Sequence, residues 1–449
     1  MSHRGIALLA WRFLTAPAAR RRGGSRRLVG AIVGVALSMV PLVMVQQVAE
    51  GMIAGIAVRF IETGTYHLQA ISRLAPGPEL EETVARLASV EGVTTAVPER
   101  RGFGLLYAAD GRSGVSLRAV PQAWWEQDPA VRELIEVQSG RFDLSDASSA
   151  VLGQEIARRL GVAVDDEVRL LTARPAPEGR ILPRISRFRV AGIVSTGYRD
   201  LDRLWVFLPY ERGRQVIADE TATDLIGVKL DDPLAIPNPL FNRGLAARLD
   251  RREERAATAI VERVSGGLGP DWFLVDWYAA EQGRYLSFLT SRNLLAVVMA
   301  MIVLVAVVNI SSALVLLVVE KEQDIAILRA CGVGRGAIAR TFVAASLMIG
   351  LGGAVLGLVA GLLAAVNINP ILRGIEGFLS LIAGRSVSVI NPEFYLATIP
   401  VEISLLPAML SVLLVLLLSL LAALIPARRA SAVPPDRILR GRLGRRQAT

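Results

Sequence analysis

A chain of 449 residues, 52% of them hydrophobic and with a mean hydropathy of +0.45, is too long for one ordinary core and too apolar for a water-soluble enzyme. Charged residues still make up 20%, so a sizeable soluble part accompanies the apolar one. The net charge of +9 excludes a nucleic-acid surface by its placement: residues 1–27 and 426–449 carry seven arginines each against a single acid, residues 320–340 are +1, and the remainder is −5. Basic residues flank hydrophobic stretches, which is the positive-inside signature of a membrane protein.

In chain order, four uncharged stretches are long enough to cross about 30 Å of hydrocarbon at about 1.5 Å per residue. They occupy residues 28–48, 293–319, 341–366 and 403–427. The first is longer than a signal-peptide core and no small-x-small cleavage pattern follows it, so it is expected to remain as a span kinked at Pro41. The arginines place the basic N-terminus (1–27), the 320–340 loop and the tail (428–449) in the cytoplasm. Residues 49–292 and a loop at 367–402 then lie outside. The fold class expected is an α-helical membrane protein with four transmembrane helices plus a large α+β domain inserted between the first and second spans.

The first helix is expected to run on as a stalk, because apolar residues recur every three or four positions from Met52 to Ile61. Residues 278–289 read as a matching stalk entering the second span. Between them, Tyr66–Ile71 reads as a strand, and Leu80, Val84 and Leu87 mark one face of a helix begun by Pro78. Residues 103–108 and 115–120 flank Asp110-Gly111, a hairpin signal. Strands follow at 167–172, 186–195, 204–208, 225–230 and 272–275, with helices at 154–160, 209–217 and near 244–264. This order divides the outer domain into a part made of 64–108 with 224–277 and an inserted β-rich part at 109–223.

Several chemistries are missing. A phosphate-binding Walker loop needs lysine directly after glycine, but Lys229 follows Val228 and Lys321 follows Glu320, and there is no third lysine. His3 and His67 are too far apart for a common metal spacing or a nucleophile triad, and Cys331 is alone, so no intrachain disulfide forms. No catalytic residue, cofactor site or metal site is expected on this chain.

After the second span, residues 320–335 read EKEQDIAILRACGVGR: a charged helix start, an apolar patch in which Ile325 and Leu328, with Ile327 as a further candidate, share a side, and a Gly-rich break. Such a patch suits docking into a partner's groove, or a helix lying on the membrane surface. The motif Lys321-x-x-Asp324-Ile325-Ala326-Ile327-Leu328-Arg329-x-x-Gly332, with Asn309-Ile310-Ser311-Ser312 before it, resembles the lipoprotein-releasing permeases of the LolC/LolE type, within the FtsX-like or MacB-like permease superfamily. Residues 151–162, 188–193 and 198–202 of the outer domain are similar to the same family, as is the tail from Pro426 to Arg440. Asp165-Asp166 departs from the family's usual Gly-Asp.

The resemblance implies a permease subunit in the bacterial inner membrane that binds no cofactor itself. ATP and magnesium would belong to a separate ABC ATPase. Lys321, Asp324, Ile325, Ile327, Leu328, Arg329 and Gly332 would form the coupling helix seated in that ATPase. The remaining partners implied are a second permease copy or paralogue, a lipidated substrate and a periplasmic carrier. A loop around Pro175, Pro177, Gly179, Arg180 and Pro183 would capture the carrier, with an ordinary hairpin as the alternative. Gly350, Gly353, Gly357 and Gly361 have small-xxx-small spacing, which fits a dimer core or packing within one chain. Lipoprotein extraction is the leading function. FtsX-like signalling to a periplasmic enzyme and MacB-like export of peptides or small molecules are the alternatives.

Overall fold

The computed structural model describes residues 24–73, 77, 79–108, 111–175, 181–231, 236, 251–320, 322–384, 401, 403 and 405–432. The long helices among them are α1 (Gly24–Phe60), α2 (Glu79–Ala88), α3 (Arg251–Gly266), α4 (Gln282–Glu320), α5 (Glu322–Ala330), α6 (Arg335–Val366), α7 (Ile368–Ala383) and α8 (Leu405–Ala432). The chain divides into two compact units, with boundaries after Met52 and after Thr290.

The helical unit contains the apolar parts of α1, α4, α6 and α8. Four helical stretches among the described residues are long and apolar enough to cross a membrane: Val29–Thr65, Gln282–Val305, Arg335–Val366 and Ala408–Arg428. Large apolar side chains such as Leu37, Leu304, Leu363 and Leu413 are each more than 60% exposed, as hydrocarbon-facing positions require. An inner layer of Val35, Met39, Val43, Ile349, Ala354 and Val415 is closed to solvent.

The glycines of α6 pack within the chain. A Cβ added at Gly353 would stand 2.5 Å from Val35 Cβ and 2.9 Å from the Ile32 carbonyl, and one at Gly361 would stand 2.8 Å from Val43 Cβ. Gly357 meets Met39 and the Ala36 carbonyl in the same way, while Gly350 faces Ser419 of α8. Within the chain, these four glycines give α1 and α8 their close approach to α6. Ser346 adds a buried hydrogen bond, donating from Oγ to the Ser419 carbonyl at 2.7 Å.

One residue range departs from expectation. Residues 367–402 read as a loop, yet Ile368–Ala383 form α7, bounded by Asn367 and by Gly384 in the left-handed region at φ 64°. Pro370, Gly374 and Gly377 disguise the helix in sequence. Proline is tolerated in a first turn, where its missing N–H has no partner to lose.

The second unit is built on one mixed sheet of ten strands: β1 (Leu68–Ser72), β2 (Val93–Ala108), β3 (Gly111–Val120), β4 (Glu136–Gly140), β5 (Ser149–Gly153), β6 (Glu167–Pro175), β7 (Ile181–Ser195), β8 (Trp205–Pro209), β9 (Thr223–Leu230) and β10 (Trp272–Asp276). The spatial order is β10-β1-β9-β2-β3-β8-β5-β7-β4, with β6 between β2 and β7. The β3–β8 and β5–β7 pairs are parallel. Strands from the two ends of the domain thus lie together at one side, and those of 111–209 at the other.

Local chemistry explains several boundaries. Asp128 accepts the Ala130 and Val131 amides and Pro129 opens the short helix Pro129–Leu134, a cap worth about 1 kcal/mol. Gly161, at φ 65°, closes Gln154–Leu160. One core holds an aromatic stack, with Trp124 on Phe207 at 5.4 Å and Trp125 on Phe142 at 4.5 Å between ring centroids. Each such pair adds about 1 kcal/mol beyond the area it buries.

Candidate coupling sites

The first site is α5. Its C-terminus closes because Gly332 adopts φ 89°, which lets Val333 N–H reach the Leu328 carbonyl at 3.1 Å and Gly332 N–H the Arg329 carbonyl at 3.0 Å. That is the Schellman geometry, open to glycine and strained for other residues. Ile325 and Ala326 are fully buried, with Val318, Ile338, Phe342 and Ala427 around them. Ile325 seats α5 on its own chain, and Ile327, 53% exposed, points outward. Asp324 is exposed, Leu328 and Arg329 are half-buried, and Lys321 lies outside the described residues. Cys331 is exposed beside them.

The second site was not anticipated and lies where α1 ends. The helix passes into a π-helical turn, Ile61–Thr65, and the chain then reverses at Tyr66, with φ 55°. A non-glycine residue held there is costly and persists only when its surroundings over-determine it. They do so here. The Tyr66 ring lies against Gly227, where any Cβ would collide with it. The Tyr66 hydroxyl donates to Glu99 Oε2 at 2.7 Å, and Arg118 clamps Glu99 with two hydrogen bonds at 2.6 and 2.9 Å. Arg118 also donates to the Thr63 carbonyl and Arg101 to the Gly64 carbonyl, so the turn's exposed acceptors are held by two guanidinium groups.

Electrostatics makes this joint stiff. Glu99 is wholly buried and Arg118 nearly so. Burial alone would raise the Glu99 carboxyl, but Arg101 and Arg118 outweigh it and pull it down to about 2. A second cluster holds the turn from the other side: Glu62 contacts His67 at 3.0 Å and Lys229 at 2.8 Å, and Lys229 pairs with Asp128 at 2.5 Å. Arg59, the last basic residue of α1, donates to the Thr196 carbonyl at 2.5 Å. A cavity of about 640 Å³ opens beside the turn, lined by Phe60, Gly64, Arg101, Arg118, Trp205 and Arg284 among others. The signal available in sequence was the triplet Glu99-Arg100-Arg101 in a strand, where alternation sends Arg100 to the opposite face. There it meets Asp224 directly across β9.

The third site is the β6–β7 hairpin. The strands run further than expected: Ala173 pairs with Pro183 and Pro175 with Ile181, so the two prolines end the ladder from within it. Among the described residues, Thr172–Pro175 and Ile181–Arg184 pair only with each other, which leaves a two-stranded ribbon projecting past the sheet. Leu182 is 53% exposed on it, and Ile185 at its base is 67% exposed. Pro177, Gly179 and Arg180 lie outside the described residues. No group of three or more histidine, cysteine, aspartate or glutamate side chains among the described residues is placed to hold a metal.

Comparison with known proteins agrees with this architecture. The family model for the FtsX-like permease C-terminal region matches residues 296–435, and that for the MacB-like periplasmic core domain matches residues 28–238. The lipoprotein-releasing system transmembrane protein LolC of Xylella fastidiosa is 25% identical over 433 residues, 94% of this chain and 96% of that protein. LolC of Neisseria meningitidis serogroup B is 24% identical, covering 97% of this chain and 99% of that protein. LolE of Haemophilus influenzae is 26% identical over 64% of each chain. With two family models matching separate parts of the chain and the likeness to LolC running nearly end to end, the chain is similar to the FtsX-like and MacB-like permeases, of the LolC/LolE type.

Proposed function

We propose that this permease couples ATP hydrolysis in a separate ATPase to extraction of lipoproteins from the bacterial inner membrane toward a periplasmic carrier. The observation that carries the reading is similarity to LolC proteins over 94–97% of the chain. In this reading the basic termini and α5 face the cytoplasm and the sheet unit faces the periplasm. Ile327, Leu328, Asp324 and Arg329 on α5, with Lys321 before it, would meet the ATPase groove, with Gly332 fixing where the helix stops. The partner permease would be a second copy or a paralogue.

Motion of α5 would reach the sheet unit through α1 and α4. Acyl chains held among the spans would be displaced outward, and the ribbon that carries Pro175 and Pro183 would receive the carrier. Its residues Pro177, Gly179 and Arg180 belong to the same proposed surface, since proline lowers the ordering cost of an exposed capture loop.

The test is purification from native membranes, identification of the co-purifying ATPase and permease, and reconstitution with an acylated protein and a soluble acceptor. ATP-dependent transfer to the acceptor is expected. Co-purification of a periplasmic hydrolase without acylated protein, and no transfer, would instead favour an FtsX-like signalling role.

A further inference from the structure

We infer that α7 lies flat in the boundary between headgroups and acyl chains, with the bilayer itself as the partner of its apolar face. The starting point is an inverted distribution of side chains. Ile371, Ile375, Phe378, Leu379 and Ile382 recur every three or four residues, the spacing of a single helix face. On a helix of a water-soluble protein that face is the covered one. Here these five side chains are 37–67% exposed and the neighbouring Leu381 is 82% exposed. The better-covered positions include polar Asn369, Glu376 and Ser380 on the opposite side. A helix that leaves its apolar face open, with polar residues including exposed Arg373 on the other side, has the amphipathic pattern of a helix lying in a membrane surface, not of one in water.

Length and charge decide the orientation. Sixteen residues span about 24 Å, short of the roughly 30 Å of hydrocarbon. Arg373 and Glu376 in the middle of the helix also forbid burial at the bilayer centre. Continuity decides the occupant. The exposed apolar row of α6, Leu347, Leu351, Val355, Val359 and Leu363, runs to Val366, and α7 begins two residues later at Ile368. A helix leaving the end of a span with its apolar face open therefore meets lipid first. The polar stripe carries one arginine and one glutamate, so the attraction is hydrophobic and independent of anionic lipid.

The test uses the full chain in its complex, in nanodiscs of phosphatidylethanolamine and phosphatidylglycerol. The native cysteine is removed as Cys331→Ser. Single cysteines Ile375→Cys, Phe378→Cys and Ile382→Cys on the apolar face, and Arg373→Cys on the polar side, receive a nitroxide label. Collision rates with oxygen, which partitions into lipid, and with a water-soluble nickel chelate are then compared. The expected result is an excess of oxygen collisions at 375, 378 and 382, the reverse at 373, and no change when phosphatidylglycerol is replaced by phosphatidylcholine. Nickel preference at all four positions would mean the face is in water. Immobile labels reached by neither relaxer would mean that protein covers it. Either outcome overturns the inference, and three positions on one face protect the test against a single variant that fails to insert.

Discussion

Replacing Glu99 by glutamine tests whether the end of α1 is clamped by charge. The substitution preserves shape and one acceptor oxygen while removing the negative charge that Arg118 and Arg101 share. Arg118 is 2% exposed and keeps its charge, so it is left as a buried cation without a counter-ion. Breaking a buried pair in this way costs about 3–5 kcal/mol, and the retained amide oxygen places Glu99→Gln at about 3 kcal/mol. At about 1.4 kcal/mol per factor of ten, local opening of the turn becomes roughly a hundredfold more frequent. Hydrogen exchange on the full-length protein in nanodiscs reads this directly: the amides of Ile61–Ser72 should exchange about a hundredfold faster, while those of α6 are unchanged. Arg118→Gln and the double variant complete a thermodynamic cycle, and the double variant should cost less than the sum of the two single changes. Exchange at residues 61–72 within threefold of the wild type would refute the clamp, as would full additivity.

Other expectations follow from the same geometry. Acid should loosen the joint: stability supplied by Glu99 is complete above its ordinary value of about 4.5 and is lost as the pH falls toward 2. Tryptophan fluorescence during acid titration should therefore show a transition that shrinks in Glu99→Gln. Gly353→Val should lower the melting temperature of the detergent-solubilised protein, at a cost of about 1–3 kcal/mol from overpacking against Val35, whereas Gly336→Ala, with open space around it, should not. Leu328→Asp should abolish ATPase pull-down while leaving insertion intact, and normal pull-down would remove the docking reading. Ile325→Ala should instead loosen α5 itself, by about 2–5 kcal/mol of lost packing, visible as faster exchange in residues 322–330.

The membrane helices were legible because a run of uncharged apolar residues has one physical explanation at that length. Short elements with strong punctuation were legible too: Gln154–Leu160 ends where Gly161 follows it, and β2 and β3 pair as far as Ala108 and Gly111. Four features were not. The clamp depends on strand register, since Glu99 and Arg118 are nineteen residues apart and meet only because Arg101 pairs with Arg118 across β2 and β3. The direction of Ile325 and Ile327 was ambiguous because a nine-residue helix gives too few turns to fix which side its own chain covers. The prolines at 175 and 183 read as loop residues, yet a ribbon with free outer edges accommodates residues that cannot donate to a ladder. The helix α7 was hidden for a related reason, its glycines and proline outweighing an apolar period that only the exposures made plain.

The glycines of α6 have a consequence for sliding. Gly353, Gly357 and Gly361 sit over the carbonyls of Ile32, Ala36 and Val40, and both series repeat every four residues. Two combs of equal pitch have discrete resting positions. A slip of α1 by four residues, about 6 Å, brings each notch opposite the next carbonyl, while any smaller slip drives Val35, Met39 or Val43 into a backbone with no room for it. The contact that excludes a gradual glide therefore also defines a step size, and an α1 that moves along α6 must do so in clicks of four residues.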